Sequence, residues 1–144
     1  MSASSRHDPY AGFNFRVEID GLTVAAFSEC SGLSSETAVV EYREGGESRI
    51  RKLPGQTKFS NLTLRRGVTE DRTLWEWRQT VVNGKVERRN GSVVLLDTAH
   101  NEVARWNFFE AWPAKWEGPH LNARSSDVCI ETLELAHEGF EWAD

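Results

Sequence analysis

Glu41-Tyr42-Arg43-Glu44-Gly45-Gly46, then Lys52-Leu53-Pro54-Gly55, then Leu62-Thr63-Leu64-Arg65-Arg66-Gly67: these three runs inside residues 41–67 set the reading of the whole chain. A strand-like run enters a charged, glycine-punctuated stretch, and a second strand-like run leaves it. The middle is too polar to pack in a small core, so residues 41–58 read as a long extended loop. Loops of that length are uncommon in compact domains unless they bind something. The stretch holds five basic residues (Arg43, Arg49, Arg51, Lys52, Lys58) against three acidic ones (Glu41, Glu44, Glu47), a net of +2. On a chain of formal net charge −5, the remainder carries −7. That asymmetry favours self-association, with the basic loop of one copy against acidic surface of another. Nucleic-acid contact through Arg49-Ile50-Arg51-Lys52 is the weaker reading, because general nucleic-acid binders are basic domains.

Working outward, the pattern is mostly β. Phe13, Phe15, Val17 and Ile19 alternate with Asn14, Arg16, Glu18 and Asp20, as in a half-buried strand. Asp20-Gly21 closes it, and residues 22–30 read as the second strand of a hairpin. Further strands are predicted over residues 37–42, 59–66, 92–97 and 103–109, with the longest last, over 127–137. One segment differs. Thr69 reads as an N-cap with Glu70 and Asp71 in the first turn, and Leu74, Trp77 and Val81 recur at helical spacing. The spacing predicts an amphipathic helix near residues 70–82, ended by Asn83-Gly84. One helix among many strands implies two packed antiparallel sheets, a barrel-like sandwich, with the helix on a face or an open end.

At 144 residues the chain is read as one domain over residues 1–144, with 1–7 expected to be flexible. Six Trp and seven Phe place aromatic packing in the core or at an interface. No run of 18 apolar residues is present to span a membrane, and residues 1–8 lack the apolar segment of a secretory signal. Folding in a cytoplasm is therefore expected. Cys30 and Cys129, with no CxxC spacing, read as two buried thiols, a disulfide being the alternative. His7, His100, His120 and His137 are scattered away from ligand-spaced partners, so no metal site is expected. Glu44-Gly45-Gly46-Glu47 has the glycines of a phosphate loop but acidic flanks that repel phosphate. Carboxylate pairs such as Glu131 and Glu134 read as solvated faces. No catalytic residue, cofactor or metal is assigned.

Taken together, the blocks Asp8-Pro9-Tyr10, Phe27-Ser28-Glu29-Cys30-Ser31-Gly32-Leu33, the three runs quoted first, Ala111-Trp112-Pro113 and Leu121-Asn122-Ala123 carry a resemblance. So does Ile130-Glu131-Thr132-Leu133-Glu134-Leu135-Ala136-His137-Glu138-Gly139. The chain resembles, over residues 8–140, the tail-tube family of contractile phages and extracellular contractile injection systems, the conserved phage tail region proteins. It is also similar in fold to the type VI secretion tube protein. Cys30, where an aliphatic residue is expected, and Gln56 and Arg65, in place of Leu and Lys, are the departures.

The resemblance implies a structural protomer rather than an enzyme. Homohexameric rings of it stack into a hollow inner tube within a sheath. Its partners are then itself, the sheath, baseplate and tail-terminator proteins, and a cargo of DNA or effector protein that passes without tight binding. No membrane insertion is implied. Its place is the cytoplasm during assembly, then a virion tail or contractile injection particle. Tyr42, Arg43, Glu44, Glu47, Arg49, Arg51, Lys52 and Lys58 become the expected subunit or ring interface. Asn14, Arg16 and Glu18 become possible lumen liners. A tube-initiating or baseplate-proximal ring protein of the same fold is the alternative, and a carbohydrate-binding β-sandwich with a Trp platform is a distant one.

Overall fold

The structure, a computed structural model, describes residues 8–22, 26–46 and 48–144. The alternation near the start becomes β1 (Phe15–Ile19), which buries Val17 and Ile19 and exposes Arg16. There follow β2 (Glu29–Ser31), β3 (Ser35–Tyr42), β4 (Arg51–Phe59), β5 (Leu62–Gly67), α1 (Thr73–Val82), β6 (Arg89–Leu96), β7 (Glu102–Glu117), β8 (Ile130–Ala136) and β9 (Phe140–Trp142). Seven strands form one antiparallel sheet in the order β1-β6-β7-β8-β5-β2, with β9 on β7, while β3 and β4 pair separately.

The long strand β7 turns this sheet into a sandwich. Its first part pairs with β6 and β9, its last part with β8, and between them Glu110 takes a positive φ of 54°. Register shifts flank that point on both partners. Such irregularities bend a strand and let it pass from one layer to another. Val17, Ile19, Val93 and Phe108 from one half meet Leu62, Leu64, Leu133 and Leu135 from the other, with Leu74 and Trp77 of α1 completing the core. Among the described residues the sandwich does not close into a barrel, since β1 and β2 end the strand order without pairing with each other. Phe108 lies so close over β6 that a Cβ at Gly91 would stand 2.3 Å from its ring and 2.4 Å from the Glu18 carbonyl oxygen. Only glycine fits there.

Along β5 and β8 the inward pairs are Leu62 with Leu135, Leu64 with Leu133, and then Arg66 with Glu131. The last is a buried ion pair, Arg66 Nε donating to Glu131 Oε1 at 2.6 Å. Arg66 also donates to the Asp71 carboxylate at 2.9 Å and to its carbonyl oxygen at 3.2 Å. Burial is tolerable because each of the three guanidinium nitrogens finds an acceptor.

Several expectations are corrected by the pairing. Among the described residues, β1 forms no hairpin ladder with the strand expected over residues 22–30. It pairs with β6, because its buried face matches Val93, and β2 pairs instead with β5. Leu22 N–H reaches back only to the Ile19 oxygen, at 3.0 Å, and residues 23–25 of that predicted strand lie outside the described residues. The longest strand is β7, with 16 residues, and the last predicted strand shrinks to Ile130–Ala136. Residues 127–129 precede it exposed, so Cys129 is exposed rather than buried. Cys30 is half-buried and free, its thiol pushed up to about 11 by desolvation.

The helix stands where its periodicity places it but starts at Thr73. Thr69 Oγ1 accepts the Asp71 N–H at 3.2 Å, and Asp71 Oδ1 accepts the Thr73 N–H at 2.9 Å and its hydroxyl. The N-cap is Arg72, with no side-chain cap bond, so Thr69 is not the cap that was expected and reaches the first helical residue only through Asp71, which Arg66 holds in place. At the far end Gly84 (φ 84°) donates to Val81 and Lys85 to Thr80, at 3.0 and 2.8 Å. This is a Schellman ending. Residues 1–7, expected to be flexible, lie outside the described residues.

Candidate functional site

Most of the extension read from residues 41–58 is strand. β3 and β4 form a two-stranded hairpin, hereafter the arm, whose tip is residues 43–50. A loop was expected because the stretch is too polar to pack in a small core, but that argument presumes a core on one side, and this hairpin has none. Every residue of β3 and β4 is exposed. The pairing is nonetheless ordered by side chains. Glu36 stands opposite Lys58, Glu41 opposite Lys52, and the Thr37 and Thr57 hydroxyls bond at 2.8 Å. A bulge lies between Thr37 and Val39. Val40 opposite Leu53 and Tyr42 opposite Arg51 share one face, while Val39 opposite Pro54 shares the other with Glu41 and Lys52.

Val39, Val40 and Leu53 are 63%, 49% and 46% exposed. A lone two-stranded hairpin is marginal in water, and contiguous exposed apolar side chains mark interaction surfaces. Of the residues expected at an interface, Tyr42, Arg51, Lys52 and Lys58 lie on the arm's strands and Arg43, Glu44 and Arg49 at its tip. Glu47 lies outside the described residues. Arg43, Arg49, Lys52 and Lys58 make no ion pair with any described residue.

The arm prolongs the body. Ser31 faces Thr63 in the β2–β5 ladder, and Ser35 faces Phe59 in the β3–β4 ladder, so the register carries through from body to arm. Ser60 N–H donates to the Ser34 oxygen at 3.1 Å between the two ladders. Gly32 (φ 100°) crosses the other strand so closely that a Cβ would stand 2.1 Å from the Asn61 oxygen. At this root the Phe59 ring packs edge-on against Phe140, with centroids 5.5 Å apart, and His137 stands 6.1 Å from each. Sequence reasoning missed the root entirely, since its residues come from three separate segments.

Asn14, Arg16 and Glu18 lie away from the core, on the outer face of the β1–β6–β7 half. Arg16 bonds Glu18 at 2.8 Å, Arg105 bonds Glu18 and Glu102 at 2.8 Å each, and Asn14 donates to the Asp97 oxygen at 3.3 Å. Arg105, then Arg16, holds the Glu18 carboxyl below its ordinary range, and Arg105 does the same for Glu102. The charges on this face satisfy one another. Glu102 and Arg105 were not singled out from sequence: three residues apart in a strand, they meet on one face only because the register shifts between Leu95 and Leu96.

The tryptophans do not gather into one platform. Trp75 meets Trp116 edge-on at 4.8 Å, Trp106 meets Trp142 at 4.9 Å, and Trp77 Nε1 donates to the Glu87 oxygen at 2.7 Å. Among the described residues, no three His, Cys, Asp or Glu side chains are grouped to hold a metal ion.

The family model of the T4-like virus tail tube protein gp19 matches residues 11–141. The chain belongs to that family. It is thus a member of a family of structural tube proteins. A chain from an extracellular contractile injection system, the PVC sheath-tube complex in its extended state, superposes with a TM-score of 0.88 at 26% identity, covering 99% of this chain and 98% of that one. A chain of the anti-feeding prophage baseplate gives 0.86 at 29% identity, over 96% and 97%. Hcp1 from Flavobacterium johnsoniae, at 18% identity and a TM-score of 0.53 over 88% and 94%, shares the fold. No curated protein sequence matches the chain significantly.

Proposed function

We propose that this tail tube protein is the main protomer of the inner tube of a contractile tail or injection particle. Six copies close a ring, rings stack into a hollow conduit, and the sheath, baseplate and terminator proteins are its partners. DNA or an effector protein passes through. The observation that carries this reading is the arm: two strands, exposed throughout, bearing apolar side chains and the cations Lys52 and Lys58, which make no ion pair with any described residue, in register with the body's own ladder. An arm of that kind gains its packing from another copy. Ring stacking is head-to-tail and does not close, so it grows a fibre. The similar chains drawn from a sheath-tube complex and from a baseplate support the choice of partners.

The test is the triple variant Arg49→Glu, Arg51→Glu, Lys52→Glu. Its melting temperature should match the wild type, while electron microscopy shows rings or protomers in place of tubes. Normal tubes from the variant remove the arm from assembly. Discrete rings from the unmodified chain, with no open-ended polymer, favour the initiator-ring alternative.

Two faces compete for the lumen. Asn14, Arg16 and Glu18 are proposed because their face is charged yet self-neutralised, and such a surface lets cargo slide. The carried-through register favours instead the outer face of β5 and β8, with Thr63, Arg65, Thr132 and Glu134, because the arm extends those strands. A bulky maleimide applied to assembled tubes separates them. Arg16→Cys should be shielded and Arg65→Cys labelled if the first face lines the conduit; the reverse pattern moves the lumen to β5 and β8.

A further inference from the structure

The strand pair β5–β8 carries exposed apolar side chains at both of its ends. Before β5 the chain runs through the arm, with Val40, Tyr42 and Leu53 on one face. At the far end β5 stops at Gly67, opposite Ile130, and β7 stops at Glu117, opposite Thr132. β5 is six residues long, so the two ends stand about 17 Å apart. At the far end Val68 follows β5 and Val128 precedes β8, and they are 44% and 75% exposed. The Val68 N–H donates to the Cys129 oxygen at 2.9 Å, which ties the two segments together. Beside Val68, Trp75 of α1 and Trp116 of β7 meet edge-on at 4.8 Å and wall an open groove of about 380 Å³. A second hollow, of about 480 Å³, opens between Leu121, Val128 and Ile130.

We propose that this far end is the socket for the arm of a second copy, with Val40, Tyr42 and Leu53 of one molecule lying on Val68, Trp75 and Val128 of the next. Three features favour that occupant. The arm and the socket stand at opposite ends of one strand pair, and every residue of the arm's strands is exposed, so a molecule does not fill its own socket. Each copy thus offers one arm and one socket, which is what a head-to-tail contact requires. Charge matches as well. Residues 66–76 and 115–131, which build the socket end, hold six acidic side chains against four basic ones, a net of −2. The arm carries +2 over residues 41–58. Glu70 and Asp127 at the socket, like Lys52 and Lys58 on the arm, make no ion pair with any described residue. Opposite potentials of this kind fix orientation and register. Finally, both surfaces are apolar and open to water, the mark of an interaction surface. The contact between copies does not depend on the tube reading; its place between stacked rings rests on that reading.

Two complementary defects test the contact. Val40→Lys with Leu53→Lys spoils the arm and keeps the socket; Val68→Lys with Val128→Lys spoils the socket and keeps the arm. All four sites are exposed, so both variants should melt with the wild type. If the socket variant does not fold, Glu70→Lys with Asp127→Lys, also at exposed sites, takes its place. Alone, neither variant should grow polymers. Mixed in equal amounts they can make one contact, intact arm to intact socket, so sedimentation should show particles of twice the mass of either alone. A folded socket variant that forms normal tubes, or a mixture no heavier than its parts, overturns the socket. If the mixture pairs while the natural chain forms no tubes, the arm–socket contact stands and the tube reading fails. Tubes from the natural chain with no pairing in the mixture keep the tube reading and strike the socket.

Discussion

One hairpin register runs through two regions of opposite character. In the body, β5 reads buried, intermediate, buried, exposed, buried, intermediate, and its inward side chains meet β8 and the core. Past Ser60 and Asn61, the same pair of chains continues as the arm, and every residue is exposed. Hydrogen-bond ladders are present in both, so backbone pairing is not what distinguishes them. The difference is a second layer. The body makes its own, from the folded-over half of the sheet and α1; the arm has to find one in another molecule. Stability and assembly are therefore separable properties of one continuous strand pair.

The largest expected effect lies in the body. Phe108→Ala removes a fully buried ring beneath Gly91 and should lower stability by about 3–5 kcal/mol. The matching change in the arm, Val40→Ala with Leu53→Ala, removes side chains that touch water and should move protomer stability by no more than about 0.5 kcal/mol each. Its effect should appear in tube yield instead. Denaturant melts of the two variants, read beside sedimentation of their polymers, check both halves. If the arm variant melts as early as the core variant, the arm packs on its own body and the comparison collapses.

The contrast also marks what could be read from sequence. Where a layer covers a strand, alternation shows it: Val17 and Ile19 in β1 and the Leu74 and Trp77 spacing in α1 were legible, and so was the Asn83-Gly84 ending. Where nothing covers a strand, the signal weakens: most of the exposed β3 was still read as a strand over residues 37–42, but β4, with Pro54 and Gly55 in its middle, reads as loop. Partner choice was also hidden. β1 bonds to β6, far along the chain, rather than to its neighbour, because the match of Val17 to Val93 is a tertiary fact. The arm's charge was visible as an excess of basic residues. Its root was not, since Gly32, Phe59 and His137 acquire meaning only when the β2–β5 and β5–β8 registers bring them together.

A smaller effect sharpens the comparison through acid. Arg66 and Asp71 form part of the body's second layer, with the Asp71 carboxyl lowered from 3.8 to about 2, first by the Thr73 hydroxyl and N–H and then by Arg66. A carboxyl depressed by folding binds its proton more readily in the unfolded chain. Its contribution is complete above about pH 4 and is lost as pH falls toward about 2. Asp71→Asn should remove that limb, leaving a variant less stable than wild type at neutral pH whose disadvantage shrinks through this window. Thermal melts from pH 5 to pH 2 on the non-polymerising protomer check it. A constant gap between the two proteins across that range would show that Asp71 acts only as a helix cap, with its charge playing no part in holding Arg66.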